Sequence, residues 1–68
     1  MSSRELRSLV SIADHGSITA ASEALFLTVP AVSAHVANLE REFGVQLLDR
    51  KRKPARLNEA GLVIVERA

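Results

Sequence analysis

The sequence predicts a mainly α fold: a three-helix core, a short two-stranded hairpin and the start of a fourth helix. Three observations predict it. Val32, Val36, Leu39 and Phe43 fall at i, i+4, i+7 and i+11, the spacing that lines apolar side chains along one helix face. Gly16 and Gly44 stand where helical patterns stop, as residues able to take the left-handed C′ conformation do. After Val45 the period changes, and short apolar segments flank the basic run RKRKPAR of residues 50–56.

Each element has its own grounds. Residues 3–15 form a first amphipathic helix, with Leu6, Leu9, Val10 and Ala13 inward and Arg4, Glu5, Arg7, Ser8 and Ser11 on the wet side. His15 sits in its last turn, where a cationic imidazole suits the helix dipole. Ser17 caps a second helix, about 18–25, whose Ile18, Ala21, Ser22 and Leu25 share one side and whose small middle residues let another helix cross closely. Thr28 caps a third, about 29–42, with Pro30 in the first turn, where a missing N–H costs nothing. Leu25, Leu27, Val32, Val36, Leu39 and Phe43 are expected to form the buried side of this helix pair, Ser17 to Phe43.

Residues VQLLDRK and ARLN read as two strands joined by a basic turn, with Leu48 and Leu57 as inward anchors. Asn58 caps a final helix over 59–68, although the run Leu62, Val63, Ile64, Val65 also suits a strand.

Length and composition narrow the function. A 68-residue chain holds one domain and buries only about 60% of its unfolded surface, so its stability is marginal. With 47% hydrophobic and 3% aromatic residues the core must be aliphatic. There is no cysteine, the longest apolar run is far too short for a transmembrane span, and the N-terminus lacks a signal-peptide apolar region. A cytoplasmic protein without membrane association is expected. Arg50, Lys51, Arg52, Lys53 and Arg56 are five of the nine basic residues; the rest of the chain carries a net −4. A basic segment on an acidic body is aimed at polyanions. No His pair at metal spacing, glycine-rich phosphate loop or nucleophile motif is present, so neither an enzyme nor a cofactor or metal site is expected. Glu40 and Glu42 are two apart on a helix, do not face each other, and read as solvated.

Helix, helix-turn-helix, basic hairpin and outgoing helix is the order of a winged helix-turn-helix. The run GSITAASEALFLTVPAVSAHVANLEREFGVQLLDR followed by LNEAG resembles the N-terminal DNA-binding domain of LysR-type transcriptional regulators. The match keeps its spacing without gaps from Gly16-Ser17 through Ala21, Leu25, Pro30-Ala31-Val32-Ser33, Leu39-Glu40, Phe43-Gly44, Leu47 and Arg50 to Glu59-Ala60-Gly61. The resemblance implies a bacterial transcription regulator acting on double-stranded DNA as a homodimer or tetramer. It places the second helix of the motif in the major groove and the wing at the neighbouring minor groove. The implied organisation is a DNA-binding domain over 1–58 (helix-turn-helix 18–37, wing 46–58) and the start of a dimerising linker helix over 59–68. The effector-binding domain that normally follows is expected to be absent from this chain, and a small-molecule effector is expected only where such a domain exists.

Departures from the family fall on the outward face. Val29 stands where Gln is common and Ala34 where Arg is common; Ala37 occupies an often basic position, Ser22 replaces Ala, and Lys53 replaces a wing Arg. Val29, Pro30, Ser33, Ala34, Ala37 and Arg41 share the side opposite Val32, Val36 and Leu39. Ser33 can exchange hydrogen bonds with a base edge, and Val29 or Ala34 can pack on a thymine methyl. Thr28 and nearby backbone N–H groups can anchor a phosphate, and His35 can meet a phosphate or base edge or stand in solvent. Arg50, Lys51, Arg52, Lys53 and Arg56 are expected to neutralise phosphates. The competing reading is a helical protein-interaction module whose outward helix packs on a partner without binding DNA.

Overall fold

In the computed structural model, which describes residues 2–68, four helices and one hairpin follow in the order α1 (Ser3–His15), α2 (Ile18–Leu25), α3 (Val29–Phe43), β1 (Leu48–Asp49), β2 (Arg56–Leu57) and α4 (Glu59–Arg67). Met1, the first residue of the expected domain, lies outside the described residues. Each helix starts on a side chain that accepts from an otherwise unpaired N–H: Ser2 from Glu5, Ser17 from Ala20, Thr28 from Ala31 and Asn58 from Gly61. Glu5 returns the bond to the Ser2 N–H, completing a capping box. Gly16 and Gly44 end α1 and α3 at φ +90° and +71°, a region where a Cβ is costly.

The strands are shorter than the expected segments, two residues each, but Leu48 pairs directly with Leu57 and Asp49 with Arg56. The β-branched run before the C-terminus is helical, because the Asn58 cap initiates α4 and the carbonyl of Asn58 accepts from Leu62. α2 and α3 meet at a bend of 112° across Phe26, Leu27 and Thr28, the geometry of a helix-turn-helix. No single helix among the described residues is long and apolar enough to cross a membrane.

The core is aliphatic throughout. Leu9 and Ile12 of α1, Ile18 and Ala21 of α2, Val32, Val36 and Leu39 of α3, and Leu47, Leu48 and Leu57 around the wing form one buried cluster. Expectations about burial are corrected at four residues. Ser8 and Ser11, expected wet, are buried on α1, because small side chains face the helices that cross there. The Ser11 hydroxyl is the one buried side-chain polar atom among the described residues with no partner. Leu27 and Phe43, expected inside, are 39% and 42% exposed, because one sits in the turn and the other at the helix end, where neighbouring elements no longer cover the apolar stripe.

The wing is held from both sides. The Ala55 carbonyl accepts the N–H of Ile18, an orphan donor at the start of α2, at 2.8 Å. On the other side Asn58 donates its backbone N–H to the Leu47 carbonyl at 3.0 Å and its side-chain amide to the Gln46 carbonyl at 2.9 Å. Gly61 permits this approach: a Cβ there would lie 2.5 Å from the Leu47 carbonyl oxygen and 3.2 Å from Leu57. Replacing Gly61 with Ala is therefore expected to destabilise the domain by about 1–3 kcal/mol through overpacking, more than the gain in helix propensity returns. Thermal unfolding checks this; a melting temperature equal to or above that of the parent chain contradicts it.

Candidate nucleic-acid interface

α3 has three sides. Val32, Val36 and Leu39 are fully buried, and the opposite side presents exposed Pro30, Ala34, Asn38 and Arg41 with half-buried Ser33 and Ala37. Val29, at the first turn, is 38% exposed, and Thr28 beside it is exposed while its hydroxyl accepts from Ala31. Thr28, Val29, Pro30, Ser33 and Ala34 therefore gather at the outer N-terminal half of α3. Apart from the Ser33 and Thr28 hydroxyls, this half offers little hydrogen-bonding capacity to a base edge.

His35 lies to one side of that surface. Its Nδ1 is 2.6 Å from the Ser8 hydroxyl of α1, and the ring is half-buried. The expectation that it either meets nucleic acid or stands in solvent is corrected to this extent: one ring nitrogen is engaged within the fold. A second α1–α3 link sits one turn further along, where the Asn38 amide donates to Glu5 at 3.0 Å and its carbonyl oxygen accepts from Arg41. Bonds from the Ser2 backbone and the Asn38 amide hold the Glu5 carboxyl below its ordinary range. Asn38 went unnoticed in the sequence, although its position four residues after Ala34 places it on the same outward face.

The five basic residues of the wing divide into two kinds. Lys51, Lys53 and Arg56 are exposed, and Arg52 is exposed with its Nε 3.5 Å from Asp49. Asp49 also accepts the Lys51 N–H at 3.1 Å, which shapes the turn. Arg50 differs: its guanidinium donates to both carboxylate oxygens of Glu40, at 2.9 and 3.2 Å. Arg50, expected to serve phosphates like its neighbours, is thus held in an internal ion pair while its side chain stays 49% exposed. The expectation that Glu40 is merely solvated is corrected, since its side chain is only 14% exposed and also accepts the Leu47 N–H at 2.8 Å. Burial pushes the Glu40 carboxyl up, but the bonds from Arg50 and Leu47 and the Arg50 charge outweigh it and hold the group below its ordinary value. The same pair raises Arg50 above its ordinary value, against the effect of burial.

The arrangement suits a grooved polyanion better than a small molecule: a protruding basic hairpin stands beside a helix whose outer side is free. Among the described residues no group of three His, Cys, Asp or Glu side chains could hold a metal ion.

Residues 3–62 match the family described as bacterial regulatory helix-turn-helix protein, lysR family. An HTH-type transcriptional regulator of Azotobacter vinelandii is 43% identical over 63 residues, covering 93% of this chain and 44% of that protein. Among solved structures, full-length LysG from Corynebacterium glutamicum with bound effector Arg superposes with a TM-score of 0.83 at 42% identity, over 98% of this chain and 23% of the other. The BenM DNA-binding domain in complex with benA site 1 DNA superposes with a TM-score of 0.86 at 33% identity, over 98% of this chain and 78% of the other. The chain spans less than half the length of such curated relatives.

The depressed Glu40 carboxyl fixes a pH dependence. A carboxyl bound more tightly as its anion in the folded state stabilises above its unfolded value, near 4.5, and that stabilisation is lost as pH falls through the lower folded value. Glu40→Gln is expected to lower stability at pH 7 and to flatten the acid limb of the stability curve. Urea unfolding at pH 7, 5 and 3.5 checks this; parallel losses in both proteins contradict it.

Proposed function

The chain belongs to the LysR family of bacterial regulatory helix-turn-helix proteins, and on that premise we propose that it is the duplex-DNA-binding domain of a transcription regulator, with α3 in the major groove and the wing on the phosphates and adjoining minor groove. The observation that carries this reading is the pairing of a free, nearly neutral outer side on α3 with a protruding hairpin tip whose Lys51, Arg52, Lys53 and Arg56 are exposed. The family is described as regulatory, and relatives such as that of Azotobacter vinelandii are named as transcriptional regulators.

The roles divide by chemistry. Ser33 reads a base edge, while Val29, Pro30 and Ala34 pack on thymine methyl groups and sugar edges. Thr28 and the first N–H groups of α3 face a phosphate, where the helix dipole favours an anion. Lys51, Arg52, Lys53 and Arg56 neutralise phosphates and release condensed counterions. Arg50 acts at one remove, fixing the wing to α3 through Glu40.

α4 supports the expected second role, as the start of a linker that pairs two copies. Val63 is 41% exposed and lines a groove with the half-exposed Phe43 and Val45 and with Ala60 and Ile64. An apolar strip of this kind gains by being covered. A homodimer or tetramer formed through a longer linker, and an effector bound by a further domain, follow from family membership as part of the proposal.

Replacing Lys51, Arg52 and Lys53 together with Ala is expected to weaken binding to all duplexes alike and to make the log–log salt slope shallower by about 3 per protomer. Ser33→Ala is expected to change the ranking among sequences by about 1 kcal/mol while leaving that slope unchanged. Fluorescence anisotropy with labelled duplexes over a salt series distinguishes the two. A wing variant that changes sequence ranking but keeps its overall affinity contradicts the division of roles.

A further inference from the structure

Resting on the DNA-binding reading, we propose that Arg4, Arg7 and His35 form a second seat for the DNA phosphate backbone, on the α1 side of the recognition helix and separate from the wing. These three side chains line one open cleft of about 470 Å³, bounded by the first half of α1, the α2–α3 turn and α3; Leu27 and Ala31 form its apolar part. Arg4 and Arg7 are three apart on α1 and therefore project to the same side, one turn from each other. Both are exposed, and among the described residues no acidic side chain pairs with either. They contrast with Arg50 and Arg52, whose guanidinium groups already meet Glu40 and Asp49. Glu5, the acidic residue between them in sequence, is turned to Ser2 and Asn38.

His35 adds a directed donor. Its Nδ1 is held by Ser8, a hydroxyl on a residue only 1% exposed, so the ring orientation is set from within the fold. When the Ser8 hydroxyl donates to Nδ1, the neutral imidazole carries its proton on Nε2, and an anion in the cleft selects that tautomer. Two guanidinium forks and one ring N–H are the donor set of a phosphodiester oxygen pair. The position fits as well. Ala31 and His35 follow directly on Pro30 and Ala34 of the reading face, so a strand bordering the groove that receives α3 passes this cleft. The domain then holds the duplex on two flanks, the wing on one and α1 on the other, with the neutral side of α3 between them.

The test is the salt dependence of binding to a mixed-sequence duplex, measured by fluorescence anisotropy on the parent chain and on three variants. Arg4→Gln/Arg7→Gln is expected to weaken binding to all sequences and to make the log–log slope shallower by about 1.8 per protomer, two phosphate contacts at about 0.9 each. Arg4→Lys/Arg7→Lys keeps both charges and is expected to restore the slope. Arg67→Gln, an exposed charge at the far end of α4, is expected to leave it unchanged. An unchanged slope in the Gln pair, with parental thermal unfolding, overturns the seat while leaving the DNA-binding reading intact. An equal fall for Arg67→Gln overturns it too, because the effect is then one of net charge. Absence of duplex binding by the parent chain overturns both readings together.

Discussion

The peptide of Leu47 ties this domain together. Its N–H donates to Glu40 near the end of α3, its carbonyl accepts the N–H of Asn58 at the start of α4, and its side chain is fully buried in the core. The residue that follows begins the wing. One buried residue therefore sets the reading helix, the wing and the outgoing helix relative to one another, and two neighbouring features exist to allow it. Gly61 leaves room for the carbonyl, and Arg50 satisfies the rest of the Glu40 carboxylate. A half-buried carboxylate without such partners would be destabilising, and a chain of 68 residues has only a small core to offset it.

That constraint explains how a nearly neutral helix can take part in recognition. The outer side of α3 carries Val29 and Ala34 rather than long polar side chains. Short side chains cannot search for partners, so what they contact depends on where the backbone is held. The Leu47 tether and the α1–α3 links at Ser8–His35 and Glu5–Asn38 hold it. In the proposed division of roles electrostatic attraction comes from the flanks, where side chains are long and placement is less demanding, and discrimination from close contact at the centre. In the proposed function the apolar groove beside α4 belongs with assembly.

Much of this architecture was legible in the sequence, because its signals are local. Ser17, Thr28 and Asn58 each precede a periodic run and each proved to be a cap; Gly16 and Gly44 each ended one. Leu48 and Leu57 were recognisable as wing anchors from the change of period alone. What stayed hidden is non-local. Nothing in the spacing of Glu40 and Arg50 shows that a turn returns one to the other, so the wing looked like five equivalent cations. Ser8 and Ser11 read as wet because hydroxyls usually are, whereas the close crossing of α1 by its neighbours favours small size over polarity. Leu27 and Phe43 kept the apolar period past the point where anything covers it. For the interface, residue types pointed to the wing and to the N-terminal half of α3, whereas only the packing of α1 on α3 brings Arg4 and Arg7 into one cleft with Ala31 and His35.

If flanking charges grip the duplex while a neutral helix face discriminates, the decisive measurement is the affinity for a duplex selected from a random pool and for a scrambled duplex between about 50 and 200 mM salt. The two affinities are then expected to fall on steep lines of closely similar slope, separated by a constant offset in favour of the selected sequence. Affinity independent of salt for either duplex, or a selected sequence whose advantage disappears as salt rises, would contradict this.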